Sequence, residues 1–110
     1  MGIRDLTAGM PDKCPEYLSW VRTQPSAASG LMGCIAHHKI GHRYSQRKVS
    51  DLLAMPLTDA EHKRLHNNGV HTFEAEIGKT EDEMIYETWR RAIEQGVLVV
   101  DCKAAWEIAA

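Results

Sequence analysis

The chain has 110 residues and a mass of 12.4 kDa, with 44% hydrophobic residues, 25% charged residues and a formal net charge of -2. A chain of this size buries about two-thirds of its unfolded surface, and its composition is that of an average globular protein, which excludes a disordered, collagen-like or strongly polycationic polypeptide. No apolar run nears the ~18 residues that cross a bilayer, and no signal-peptide core is expected; with three scattered cysteines (Cys14, Cys34, Cys102) and no C-x-x-C pair, reduced thiols and a cytoplasmic location are expected.

Residues 1–12 read as a loose arm and 13–110 as one domain. Pro15 to Gln24 has apolar residues at helical spacing, with Pro15 suited to a first turn and Pro25 as a stop. Cys34-Ile35-Ala36 reads as a strand ending at His37-His38, and Lys39 to Ser50 as a polar, basic surface loop. Leu52 to Leu57 reads as a second strand closed by Pro56, and Asp59 to His66 as a short helix with Thr58 as N-cap and Asn67-Asn68-Gly69 as its end. Thr72 to Ile77 offers one apolar turn before Gly78. Thr80 with Glu83 then starts a helix whose buried stripe is Met84, Ile85, Thr88, Trp89, Ala92 and Ile93, with Glu81, Asp82, Glu87, Arg90, Arg91 and Glu94 toward water and Gly96 at its end. Val97 to Val100 is β-prone and Ala104 to Ala110 could add a helical turn; the tryptophans Trp20, Trp89 and Trp106 read as core residues. The fold class is α+β.

Charge is uneven along the chain. Residues 37–66 carry six basic and three acidic groups, residues 67–110 four and nine, and all six histidines lie between positions 37 and 71. His62-x3-His66 places two imidazoles on one helix face, where they can grip one metal ion. In the His37-His38 doublet, successive strand side chains point to opposite faces, so one ring can ligate a metal while the other serves as general base. His42 and His71 read as surface residues.

The order strand, His-His, polar loop, strand, then helix with His-x3-His resembles the HNH, or ββα-metal, nuclease finger. The resemblance is carried by Ala36-His37-His38-Lys39-Ile40-Gly41-His42, Asp51-Leu52-Leu53-Ala54-Met55-Pro56-Leu57 and Glu61-His62 with His66. It extends over roughly residues 15 to 98 and is nearest to small phage and prophage HNH proteins, including recombination-enhancement nucleases. It implies a DNA endonuclease in which His38 is the general base and His37, His62 and His66 hold one divalent ion (Mg, Mn, Zn or Ni). Lys39, Arg43, Arg47 and Lys48 of the loop, with Lys63 and Arg64 of the helix, would meet the DNA backbone. A recombinase or a second copy of the chain is the protein partner that such a role allows, and no membrane is involved.

Two departures from the family pattern stand out. A second, structural zinc of related fingers has its ligand positions at Ser26, Ser29, Thr58 and Glu61, none of which is Cys or His here, so hydrogen bonds are expected in its place. The family's central Asn falls near Leu53 or Asp51, and Asp51 is expected to hydrogen-bond His38 instead. Two other readings stay open: a closed zinc module from Cys34, His37, His62 and His66 without catalysis, and a helical interaction protein whose histidines decorate the surface.

Overall fold

The structure is a computed structural model and describes residues 12–40 and 49–98. It is a small α+β fold of four α-helices and one two-stranded antiparallel sheet among the described residues: α1 (Pro15–Val21), β1 (Cys34–His38), β2 (Ala54–Thr58), α2 (Asp59–Asn68), α3 (Val70–Ile77) and α4 (Glu81–Glu94), with a 3₁₀ turn at Asp51–Leu53 leading into β2. The expectations for the arm through Pro11, for residues 41–48 and for residues 99–110 lie outside the described residues. No helix among the described residues is long and apolar enough to cross a membrane.

Within the ββα order, β2 runs into α2 with no intervening loop. β1 and β2 pair from Cys34↔Thr58 to His38↔Ala54, and Thr58 closes β2 while capping α2. Its hydroxyl accepts the Glu61 N–H and the Glu61 carboxylate accepts the Thr58 N–H, a complete capping box. The orientation of α2 relative to the doublet is therefore fixed by a strand-to-helix junction, not by a loop. Tyr17, Val21, Leu52, Met55, Leu57, Leu65, Phe73, Met84, Ile85, Trp89 and Ala92 pack into one core. The Trp89 indole N–H donates to the Leu52 carbonyl, tying α4 to the turn before β2. The Tyr17 hydroxyl, buried in the same core, has no hydrogen-bond partner among the described residues.

Four local expectations are corrected. Pro56 does not end its strand: it pairs with Ala36, and its carbonyl accepts the Ala27 N–H on the outer edge, so the missing proline N–H is not needed by the ladder. Asp51–Leu53 is a 3₁₀ turn because the Ser50 hydroxyl caps it by accepting the Leu52 N–H. Helix α3 begins at Val70, one turn's half earlier than the apolar pattern suggests, and ends at left-handed Gly78. On α4, Ile93 is 48% exposed, whereas Glu81, expected to face water, is 2% exposed.

Candidate functional site

β1 and α2 bring three histidines together. His37 is buried, and its ring centroid lies 5.1 Å from His62 and 5.8 Å from His66, which are 4.4 Å from each other. One ring nitrogen from each lies within 4.8 Å of the other two. His62 Nε2 and His66 Nε2 are 2.9 Å apart. A tetrahedral ion with bonds of 2.0–2.1 Å separates its ligand nitrogens by about 3.3 Å, so seating an ion between His62 and His66 asks for a few tenths of an ångström of movement of that pair. With the His37 nitrogen within 4.8 Å of both, the three imidazoles are a donor set of the type that a divalent zinc or nickel ion takes. Burial, then the neighbouring His37 and His66 charges, push the His62 pKa below the ordinary imidazole value against the opposing pull of Asp59; the neutral ring is the form that ligates.

The second ring of the doublet has different partners. His38 is about one-third exposed, and its Nε2 donates to Asp51 Oδ1 at 2.9 Å. The other Asp51 oxygen accepts the Cys14 N–H at 2.7 Å, at the start of α1. Burial alone would raise the Asp51 carboxyl, but the Cys14 N–H, the His38 bond and the His38 and Lys13 charges outweigh it and hold the pKa below the ordinary value. An ionised carboxylate only accepts, so Nε2 is the protonated nitrogen at this contact, and in the neutral tautomer that fits it Nδ1 carries the lone pair.

Over residues 10–96 the sequence matches the family described as a protein of unknown function, DUF968. The chain belongs to that family. An Escherichia coli (strain K12) protein titled "Uncharacterized protein YdfU" is 38% identical over 85 residues, which is 76% of this chain and 24% of the relative; the chain thus spans about a quarter of that relative's length. No solved structure matches. The matched DUF968 span contains both members of the doublet, Asp51, both helical histidines and Glu81.

Elsewhere in this DUF968 domain, Ser26, Ser29, Thr58 and Glu61 also converge. Ser26 Oγ donates to Glu61 Oε1 at 2.6 Å, the same oxygen accepts the Thr58 N–H at 2.8 Å, and Ser26 Oγ accepts the N–H groups of Ala28 and Ser29. Burial raises the Glu61 carboxyl, but the bonds from Ser26, Ser29 and Thr58 overcome it and lower the pKa. Cys34 faces this network and not the histidines: its thiol donates to the Leu31 carbonyl, and burial and then the Glu61 charge raise its pKa. The histidine cluster does not include Cys34, so the described residues do not assemble the closed Cys-His₃ shell. Nor does a decorated surface describe a cluster whose first ring, His37, is 1% exposed.

The cationic residues are less free than their sequence positions suggest. Lys39 pairs with Asp82, Lys63 with Asp59 and Arg64 with Glu76, and the Arg64 guanidinium also lies over the Phe73 ring. Arg43, Arg47, Lys48 and His42 lie outside the described residues; His71 is exposed, as expected. The site residue that sequence reading missed is Glu81, whose Oε2 is 2.8 Å from His37 Nε2 and also accepts the Ile40 N–H. Helical arithmetic contained the signal, because 81, 84, 85, 88 and 92 share one face; its charge had assigned it to the solvent.

Proposed function

We propose that this DUF968 domain is a metal-dependent DNA endonuclease of the HNH type, hydrolysing phosphodiester bonds with His38 as general base. The observation that supports it best is the unlike surroundings of the doublet: one ring meets two helical imidazoles, and its neighbour is held through Nε2 by a carboxylate, with no partner on Nδ1 among the described residues. In the reaction His38 Nδ1 takes a proton from the water that attacks phosphorus, and the bond to the 3′ oxygen breaks. His37, His62 and His66 would hold the ion, which supplies positive charge to the phosphate and the departing oxygen. Three imidazoles suit Zn²⁺, Ni²⁺ or a similar borderline ion better than Mg²⁺, which prefers oxygen ligands. Lys39, Lys63 and Arg64 would exchange their exposed acidic partners for phosphate, since surface ion pairs are worth only about 0–1 kcal/mol. A cytosolic role in phage or prophage DNA processing, with a recombinase as partner, is the setting that the resemblance to HNH proteins suggests.

The test is cleavage of supercoiled plasmid with Zn²⁺, Ni²⁺, Mn²⁺ or Mg²⁺. Wild-type protein is expected to nick or linearise DNA only with metal, and His38→Ala to lower the rate by about 10²–10⁴-fold while binding metal as tightly as before. Wild-type protein that binds metal yet cuts neither plasmid nor single-stranded DNA with any of the four ions would overturn the proposal.

A further inference from the structure

Glu81 is a carboxylate at the first position of α4 with 2% exposure, and burying such a group is costly unless it is paired and hydrogen-bonded. Its backbone N–H donates to Glu74 Oε2, while its Oε2 accepts the Ile40 N–H and lies 2.8 Å from His37 Nε2. The helix N-terminus adds favourable potential for the negative charge. One carboxylate thus joins α4 to both the ring of His37 and the backbone two residues beyond the doublet.

We infer that Glu81 is the positioning residue of the metal centre: it accepts a hydrogen bond from His37 Nε2–H and so presents Nδ1 as the ligating nitrogen. This inference rests on the three-histidine metal site proposed above. The chemistry follows from the acceptor-only character of a carboxylate. With Nε2–H committed to Glu81, Nδ1 alone has a lone pair for an ion, the ring cannot turn over, and the carboxylate charge makes the imidazole a stronger donor. Helix α4, which carries no metal ligand of its own, is thereby part of the site. Asp82, the neighbouring carboxylate, pairs with Lys39 and touches no histidine in the described contacts, which makes it the matched control.

The experiment uses the full chain loaded with Zn²⁺. Long-range ¹H–¹⁵N correlation spectra of the histidine rings are expected to show His37 bound through Nδ1 with its proton on Nε2; ligation of His37 through Nε2 overturns the inference. In parallel, Zn²⁺ affinity by chelator competition is expected to fall about 10–100-fold in Glu81→Gln and to stay unchanged in Asp82→Asn, with far-UV circular dichroism of both variants like wild type. Equal affinity of Glu81→Gln and wild type overturns it. Should Glu81→Gln fail to fold, the ring spectra of the wild-type protein still decide the question. Absence of stoichiometric Zn²⁺ binding by wild type, with no difference from His62→Ala, overturns the metal site itself along with the inference; loss in His62→Ala but not in Glu81→Gln overturns the inference alone.

Discussion

Asp51 makes two hydrogen bonds with two oxygens, and both are needed: one holds the His38 ring and the other accepts the Cys14 N–H. An amide has one accepting oxygen and one donating nitrogen, so Asp51→Asn cannot keep both. If the remaining oxygen stays with Cys14, the amide N–H₂ faces His38 Nε2, and the ring must move its proton to Nδ1, the nitrogen that the reaction needs free. The expected result is a cleavage rate at least tenfold lower at saturating metal, with metal affinity unchanged and a stability loss of about 1 kcal/mol in urea denaturation. A full rate in Asp51→Asn would show that the carboxylate does not orient the base. The same logic separates His38 from His37, whose partners are the helical rings and Glu81; adjacency in sequence gives these two imidazoles unlike surroundings because they lie on a strand.

At the scale of elements, the junction between β2 and α2 carries most of the local order. Glu61 accepts from the Ser26 hydroxyl and the Thr58 N–H with one oxygen, joining the loop after α1 to the start of α2. Glu61→Ala leaves both donors without their acceptor, and an unsatisfied buried group costs about 1–3 kcal/mol; the expected loss is about 2–4 kcal/mol at pH 7. Because the folded-state pKa of Glu61 is lowered, its contribution is fully present above the unfolded value of about 4.3 and is lost as pH falls through the lower folded value. Urea midpoints of wild type and Glu61→Ala should therefore converge on acidification below pH 4.3, and a gap that stays constant would assign the loss to packing alone. This junction was legible in the sequence because caps and i, i+4 spacing are local: Thr58, Gly69, Gly78 and the His62-x3-His66 pair could all be read from neighbours a few positions away. Pro56 and Glu81 were misread for the opposite reason. Whether a proline ends a strand depends on which edge its missing N–H faces, here decided by Ala27 on the far side of β2, and whether a glutamate is buried depends on a histidine 44 residues earlier.

Across the whole molecule, the basic middle of the chain and its acidic C-terminal part meet in space. Arg64 of α2 pairs with Glu76 of α3, and Lys39 beyond β1 pairs with Asp82 of α4, so the charge asymmetry of the sequence becomes a set of ties between the ββα unit and the two helices that follow. The proposed metal would add a stronger tie of the same kind, joining β1 to α2 through His37, His62 and His66. A ligand that binds only the folded chain stabilises it by RT ln(1 + [L]/Kd), about 2.7 kcal/mol at a hundredfold excess over Kd. With a shift of roughly 4 °C or more per kcal/mol for a domain near this size, Zn²⁺ at that concentration is expected to raise Tm by about 10 °C. The rise should vanish in His62→Ala and in His66→Ala and reverse on adding a chelator. Adventitious binding to exposed histidines predicts otherwise, because such sites persist in the unfolded chain, where binding offsets the stabilisation; an unchanged Tm despite measurable Zn²⁺ uptake would assign the ion to the surface and remove the basis for a built metal centre.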